Sequence, residues 1–175
     1  MASARSNPTQ QIADFSEIVT DFDARVQRIG FAIVATVDSN SRPRLRVLQP
    51  VWETEADVPV GWLITSEKSP KVRHLRNNPY LSISYWDPAH EMVFVEATAE
   101  IVEDPDEKRR VWNLFAAGEG AYGYDPHRFF PDGPTNPDYC CIRVTPSRVE
   151  LSAMADRAAR RPRRIWQPAS ASALD

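Results

Sequence analysis

The sequence lacks any apolar run long enough to cross a membrane, and no apolar secretory segment stands at its N-terminus. It also lacks a strong excess of charge, because 21 lysines and arginines against 24 aspartates and glutamates give a net charge of −3. General nucleic-acid binders carry a basic excess that neutralises phosphates. We therefore expect neither a membrane protein nor a nucleic-acid binder.

Cysteine and histidine are also scarce. The two cysteines, Cys140 and Cys141, are adjacent in a segment that is typical of a strand. Neighbouring strand residues point to opposite faces, so no ordinary disulfide is expected between them, and a reduced, cytoplasmic protein is the plain interpretation. The three histidines, His74, His90 and His127, show no recognisable metal-ligand spacing. No metal site is predicted.

The length and composition predict a single domain. At 175 residues and 42% hydrophobic content, the chain is long enough for one sizeable core and short for two. We expect one domain over residues 1–175, with flexible ends at 1–10 and 168–175. Between residues 9 and 28, apolar residues recur at steps of three and four, which predicts a helix that Gly30 ends. This stripe could bind a partner, but packing against the domain's own core is the favoured interpretation.

A short basic helix is predicted directly after an apolar strand. Ser69 is a good N-cap residue, Pro70 suits the first helical position, and residues 77–79 close the segment. A phosphate at the first turn would meet unpaired backbone N–H groups, the positive end of the helix dipole and Lys71. Arg46, from a neighbouring predicted strand, would add a forked pair of charge-assisted hydrogen bonds. The pattern indicates a phosphate site; the alternative is a solvated basic helix beside an ordinary surface arginine.

The stretch from residue 31 to residue 102 is typical of a series of strands arranged around this helix. Four ordered segments in it are ATVD with RPRLRV, LITSEKSPKVRHLRNNP, LSISYW and ATAEIV. Together they resemble the FMN-binding split-barrel family, which includes pyridoxamine 5'-phosphate oxidase and the general stress proteins. The resemblance implies a mainly β fold, an antiparallel Greek-key-like β-barrel of about six strands with peripheral helices. It also implies a homodimer with flavin mononucleotide (FMN) at its interface.

The same resemblance implies a set of cofactor-binding residues. In the family, an arginine on the strand matched by RPRLRV holds the FMN phosphate, the backbone after it contacts the flavin ring, and hydroxyl and lysine side chains assist the phosphate. The matching positions are Arg46 for the phosphate, Val47, Leu48 and Gln49 for the ring, Thr65, Ser66, Ser69 and Lys71 as assisting residues, and Ile64 alongside the ring. The chain departs from the family at Pro70, where an arginine is common, and at Met92, where the oxidase has a glutamine.

A long segment from residue 119 to residue 138 is rich in glycine, proline and aromatic residues. Loops of this length in compact domains are usually functional or part of an interface. In the family the corresponding region helps to form the substrate side of the flavin pocket. The resemblance therefore implies that Tyr124, His127 and Arg128 contact a small-molecule substrate, the alternative being a loop that packs at the dimer interface.

The remaining segments predict scaffold. Residues 53–59 are acidic and turn-rich, which favours an exposed hairpin loop, and residues 104–107 form a helix start. Residues 139–145 and 148–154 predict a hairpin that turns at Pro146 and Ser147. The arginine-rich run 157–166 is typical of a solvated face. As an alternative, Arg163 or Arg164 could reach a pocket, with Trp166 as a stacking wall.

The function that these observations favour is an FMN-dependent oxidoreductase with an unassigned substrate. No side chain stands out as a general acid or base, so no catalytic residue is named. The segment by which true pyridoxamine phosphate oxidases bind their substrate has no match near the C-terminus, which weakens vitamin B6 oxidation as the activity. The alternatives are a non-catalytic flavin-binding or stress-associated protein and a deazaflavin (F420)-dependent reductase. A haem-binding role is a weak case because the three histidines are scattered.

Overall fold

The computed structural model describes residues 8–55, 57–117 and 125–169. Within these ranges the protein has nine strands and four helices. The strands are β1 (Thr9–Ile12), β2 (Ala32–Val37), β3 (Pro43–Leu48), β4 (Val51–Glu55), β5 (Val58–Ser66), β6 (Tyr80–Trp86), β7 (Glu91–Val102), β8 (Tyr139–Ala153) and β9 (Arg163–Trp166). The helices are α1 (Val19–Ile29), α2 (Pro70–Asn77), α3 (Pro105–Ala116) and α4 (Met154–Ala158). None of the helices in the described ranges is long and apolar enough to span a membrane.

The strands form one sheet in the order β1-β9-β8-β7-β6-β2-β3, and β5 joins β8 to β4. All pairings are antiparallel except that of β1 with β9, which is parallel. The sheet is not closed: β3 and β4 each pair with a single neighbouring strand in the described ranges. The predicted mainly β fold with peripheral helices is confirmed, with nine described strands where about six were expected.

Strand β8 organises the sheet because it pairs with β5, β7 and β9. It runs without interruption through Pro146 and Ser147, so the hairpin predicted there is wrong. In the register with β7, Glu96 lies opposite Arg148 and Ala97 opposite Pro146, which leaves Ser147 as an extra residue. The turn-forming residues therefore make a β-bulge, which bends a strand without ending it.

The N-terminal segment is only partly helical. Residues 9–12 form β1, a 3₁₀ turn covers Phe15–Glu17, and the helix α1 begins at Val19. The long helix predicted from residue 9 is wrong because the backbone of β1 pairs with β9, from the far end of the chain. Phe22 and Val26 of α1 are buried in the main core, which supports the interpretation that this helix packs on its own domain.

Two hydrophobic clusters fill the interior. The larger one joins α1 and α2 to the inner face of the sheet, with Val34, Val72, Ile83 and Ile142 among its members. The second cluster holds α3 against β5 and β8 through Trp112, Phe115, Trp62, Tyr139 and Cys141. Cys140 and Cys141 are both free thiols, and burial raises the pKa of each to about 12. Both thiols are therefore protonated and unreactive at neutral pH.

The acidic segment at residues 53–59 belongs to a hairpin, as predicted, but most of it lies in the paired strands β4 and β5 and not in a loop. Strands β4 and β5 pair around a turn at Asp57, whose φ of 66° lies in the left-handed region. Glu53 accepts a 2.7 Å hydrogen bond from Trp62 Nε1 and pairs with Arg110 at 2.9 Å. Glu53 can therefore lie within strand β4, because partners that are distant in sequence stabilise its carboxylate. Local composition does not reveal such partners.

The arginine-rich C-terminal run supplies β9. Arg164 pairs with Asp21, and Arg163 donates to Thr9 Oγ1 at 3.0 Å. Trp166 is buried, with its ring centroid 5.2 Å from that of Phe15. A stacking role for this tryptophan in a ligand pocket is therefore wrong, since its ring belongs to the core.

Candidate functional site

Two cations from different elements approach one another beside α2. Arg46 lies opposite Val34 in the pairing of β3 with β2, so its side chain points to the inner side of the sheet, and its Nη1 donates to the Val34 carbonyl at 3.2 Å. Lys71, in the first turn of α2, donates from Nζ to Thr65 Oγ1 at 2.6 Å. Neither cation pairs with a carboxylate from the described part of the chain.

The electrostatics of this pair favour an anion. Burial lowers the pKa of Lys71, and the nearby positive charge of Arg46 lowers it further. Burial also lowers the pKa of Arg46. Two like charges held close together and partly withdrawn from water are unfavourable unless a negative group lies between them. A bound phosphate would supply that negative charge and raise both pKa values again.

Two buried polar atoms at predicted cofactor positions have no hydrogen-bond partner. Among the described residues, the buried side-chain atoms without a partner are Ser69 Oγ, Gln49 Oε1 and Arg25 Nε. Ser69 occupies the N-cap position of α2, with Pro70 as the first helical residue, but its hydroxyl makes no capping bond. Buried polar atoms are normally satisfied in folded proteins. Unsatisfied atoms at Ser69 and Gln49 indicate that a polar ligand completes this region.

An open cleft of about 400 Å³ lies beside the two cations. Its lining comes from the ends of β3 and β5, from α3 and from the segments before β2 and β8. The lining residues are Phe31, Val47, Leu48, Gln49, Leu63, Ile64, Thr65, Ser66, Phe115, Phe129, Phe130 and Asp138. Six of the predicted cofactor residues are in this set, from Val47 to Gln49 and from Ile64 to Ser66. The structure thus brings together the residues that the sequence predicted for the ring of the cofactor.

Arg46 also lines a second, more polar groove of about 470 Å³. The groove follows one face of α2 and the turn between β2 and β3, and its lining includes Arg44, Arg73 and His74. Arg44 is balanced by Asp38, at 2.8 Å. Arg73 forms no ion pair with any residue in the described ranges, so the groove has an unbalanced positive charge next to Arg46.

His74 was predicted on the polar face of α2, but the structure buries it. Its Nδ1 lies 3.0 Å from Thr36 Oγ1. Burial is the main cause that lowers its pKa, and the charge of Arg46 adds to this effect. The imidazole is therefore neutral at neutral pH and contributes a hydrogen bond, not a charge, beneath the cation pair.

None of the predicted substrate residues is among the described residues that line the cleft. Tyr124 lies outside the described residues. His127 is exposed, with Nδ1 3.1 Å from Asp125 Oδ1 and its ring against the edge of Trp112 at 5.0 Å. Neither His127 nor Arg128 is among the residues that line the cleft. Their role in substrate binding stays a prediction.

Side chains that the sequence analysis did not select form the rest of the cleft. Phe129 and Phe130 follow directly after the predicted pair and reach the cleft in its place. Asp138 arrives through the pairing of β5 with β8, and its Oδ1 accepts a 2.9 Å hydrogen bond from Ser66 Oγ. The aromatic content of the loop was a usable signal for the two phenylalanines. No local signal identified Asp138, because its position depends on a strand pairing between distant segments.

One face of the sheet next to the cleft is apolar and exposed. Ile33 of β2 lies opposite Val47 of β3 and Ser84 of β6, which places these residues on the same face. The exposed fractions are 49% for Ile33, 68% for Leu45, 64% for Val47 and 55% for Trp86. Contiguous exposed apolar surface of this kind marks an interaction site more often than a solvated surface.

Of three comparisons with known proteins, two found matches. A family model described as pyridoxamine 5'-phosphate oxidase matches residues 18–153. No curated protein matches the chain by sequence.

Similar solved structures include a Clostridium acetobutylicum protein related to general stress protein 26, with 18% identity, coverage of 78% of this chain and 89% of that one, and a TM-score of 0.62. An FMN-binding, pyridoxamine 5'-phosphate oxidase-related protein from Nostoc punctiforme has 18% identity and a TM-score of 0.60. The match covers 82% of this chain and 86% of that one. A structure described as an F420 reductase has 22% identity and a TM-score of 0.54. The match covers 73% of this chain and 94% of that one. At these identities the likeness shows the split-barrel fold alone.

Proposed function

The chain belongs to the pyridoxamine 5'-phosphate oxidase family, and on that premise we propose that it binds FMN and acts as an oxidoreductase on a small-molecule substrate. The single observation that carries this proposal concerns two cations, Arg46 and Lys71, which pair with no carboxylate of the described residues and lie beside the Ser69 hydroxyl, which those residues also leave unsatisfied. One phosphate could satisfy all three groups. The FMN-binding relative from Nostoc punctiforme shares the fold and supports the choice of cofactor.

The residues present fit the phosphate of FMN. The guanidinium of Arg46 would donate a forked pair of hydrogen bonds, and Lys71 Nζ would add a point charge. Ser69 Oγ would donate a further bond, and the first N–H groups of α2 carry the positive end of the helix dipole. The family's common arginine is replaced here by Pro70, so we assign the phosphate to one arginine and one lysine.

The cleft fits a planar ring at its strand side. Val47, Leu48, Gln49 and Ile64 line it, and the unsatisfied Gln49 Oε1 could accept a hydrogen bond from a ring N–H. When bound, the flavin supplies the two-electron transfer chemistry. The protein's residues would bind and orient the ring and exclude water from its face.

We propose a homodimer that forms through the exposed apolar face defined by Ile33, Leu45, Val47 and Trp86. Val47 belongs both to this face and to the cleft lining, so a second copy packed here would also cover the ring site. Two-fold homodimers, in which the same surface of both copies meets, are the commonest oligomers of soluble proteins. We also propose a cytoplasmic location, since both cysteines are buried thiols.

A deazaflavin-dependent reductase is the second candidate. The groove beside Arg46 carries the unbalanced charge of Arg73, which would suit an anionic tail longer than a single phosphate. A structure described as an F420 reductase shares the fold. A non-catalytic flavin-binding protein is the third possibility, because the phosphate side of the site is better defined than the substrate side.

The test is the visible absorption spectrum of the purified protein after FMN addition and gel filtration. The proposal predicts that the flavin bands stay with the protein and that a reduced nicotinamide or another reduced substrate bleaches them without oxygen. A protein that retains FMN but is bleached neither by a reduced nicotinamide nor by any reduced substrate would be a carrier. A protein that retains F420 and releases FMN would favour the second candidate.

A further inference from the structure

Asp138 is the one charged residue among those that line the cleft in the described part of the chain. Under the proposed function, the ends of β3 and β5 hold the flavin ring. The lining that remains consists mainly of Phe115, Phe129, Phe130 and Asp138. This second wall combines three phenyl rings with one carboxylate, and no lysine, arginine or histidine from the described residues stands in it.

The carboxylate is held in a defined position. Its Oδ1 accepts the 2.9 Å hydrogen bond from Ser66 Oγ, at the end of β5. The backbone of Asp138 is fixed as well, because its N–H donates to Asn136 Oδ1 at 2.9 Å and its carbonyl accepts from the Glu67 N–H at 2.7 Å. Its Oδ2 accepts no hydrogen bond from the described residues. One carboxylate oxygen is thus available to a molecule in the cleft.

This arrangement also separates the two hydroxyl residues at the end of β5. Thr65 accepts from Lys71 and belongs with the cation pair, whereas Ser66 donates to a carboxylate. A phosphate at Ser66 would face the negative charge of Asp138. Ser66 is therefore better assigned to the substrate wall than to the phosphate site for which the sequence predicted it.

A carboxylate beside phenyl rings selects ligands by charge. A cationic group gains an ion pair that the low-dielectric surroundings strengthen, and it is also attracted by the faces of nearby aromatic rings. An anionic group meets repulsion, and in this wall it finds no cation to compensate its lost hydration. The phenyl rings favour a planar apolar body through stacked or edge-on contacts.

We propose that Asp138 determines substrate specificity, and that the cleft takes an aromatic molecule bearing a positively charged group and rejects anionic aromatic molecules. This inference rests on the proposed function, because it assigns the strand side of the cleft to the flavin. It names a class of substrate where the sequence analysis left the substrate unassigned.

The experiment compares three probes of the same shape with different charges: benzylamine, benzyl alcohol and benzoate. Their dissociation constants are measured near neutral pH from the perturbation of the flavin absorption bands of the FMN-loaded protein. We expect benzylamine to bind roughly tenfold more tightly than benzyl alcohol, since both can donate a hydrogen bond to Asp138 but only the ammonium adds an ion pair. Benzoate should bind most weakly, because its carboxylate is repelled by that of Asp138.

The variant Asp138→Asn keeps the acceptor for Ser66 and removes the charge. It should lose the preference for benzylamine. Its FMN affinity should stay within about twofold of that of the unmodified protein, and this measurement is the control for an intact cofactor site. Asp106→Asn, which removes an exposed carboxylate on α3, should change neither quantity. Equal binding of benzoate and benzylamine to the unmodified protein, or an unchanged order of probes in Asp138→Asn, overturns the inference. A loss of FMN affinity in Asp138→Asn with the probe order kept would assign the carboxylate to the cofactor and also overturn it.

Failure of the proposed function is a separate outcome. If the protein retains no FMN, the three probes are titrated into the flavin-free protein by calorimetry. A benzylamine preference that Asp138→Asn removes would still support the assignment of Asp138, although the cofactor proposal would have failed. The absence of any charge preference there overturns the inference.

Discussion

The phosphate side and the substrate side of the candidate site are built in different ways. The phosphate side comes from residues 46–71, on β3, β5 and the first turn of α2, and α2 is anchored in the main core by Val72 and Leu75. The substrate side comes from α3, the loop at Phe129 and the segment before β8. The first is local in sequence and rigidly supported, whereas the second depends on pairings between distant segments. This contrast predicts a well-fixed anion site beside a more adaptable wall.

The largest expected effect is on stability. Leu75→Ala removes a side chain that is 4% exposed and should lower the free energy of unfolding by about 2–5 kcal/mol, because it leaves a cavity under α2. Phe129→Ala, on the other wall, removes a side chain that is 61% exposed and should lower it by less than about 1 kcal/mol. Urea unfolding of both variants measures the difference. Equal losses would contradict the contrast between the two walls.

The next effect is on cofactor affinity. Arg46→Ala and Lys71→Ala should each weaken FMN binding by about 1.5–3 kcal/mol, the range for hydrogen bonds to charged groups. Flavin fluorescence titration gives the dissociation constants. Arg109→Ala is the matched control, since Arg109 is exposed on α3 and pairs only with Asp106 among the described residues. FMN affinity that survives both site variants would show that the phosphate binds elsewhere.

The phosphate side should also respond to acid. Burial holds the folded-state pKa of His74 below its ordinary value of 6.5, so the unfolded chain takes up a proton first as the pH falls. The stability that the neutral imidazole contributes is therefore present above about pH 6.5 and is lost as the pH falls through the folded-state pKa. Denaturant unfolding at a series of pH values should show this decline, and His74→Gln should flatten it. An identical pH dependence in the variant would exclude His74 as its source.

The smallest expected effect is that of Ser69→Ala, and it distinguishes a role of Ser69 in ligand binding from a role in folding. Ser69→Ala removes a buried hydroxyl that has no hydrogen-bond partner among the described residues, so the free protein should keep its stability or gain a few tenths of a kcal/mol. FMN affinity should nevertheless fall by about 0.5–1.5 kcal/mol, because the phosphate loses one donor. Thermal unfolding with and without FMN measures both quantities. A loss of stability in the free protein would instead assign Ser69 a capping role.

The same contrast explains how far the sequence could be interpreted. The helix α2 was predictable because Ser69, Pro70 and Asn78 are local signals, and the cofactor residues followed from an ordered family resemblance over residues 30–103. β1 could not be predicted because its partner, β9, lies at the other end of the chain. The continuous β8 was missed because Pro146 and Ser147 look like a turn until the register with β7 shows a bulge.

The substrate wall could not be predicted for a similar reason. Asp138 reaches the cleft because β8 pairs with β5. On the phosphate side, the buried His74 likewise has a distant partner, since its Nδ1 lies 3.0 Å from Oγ1 of Thr36 on β2. Neither partner is visible in a local window of sequence. The composition of the loop indicated the aromatic residues Phe129 and Phe130 but not which of its side chains would line the cleft.

The central claim is that Arg46 and Lys71 hold the phosphate of a flavin. The most direct test compares the dissociation constants of FMN and riboflavin, which lacks the phosphate, for the unmodified protein and for the double variant Arg46→Ala/Lys71→Ala. We expect the unmodified protein to prefer FMN by roughly a hundredfold or more, and the double variant to bind both flavins with similar affinity. A preference for FMN that persists unchanged in the double variant would contradict the account.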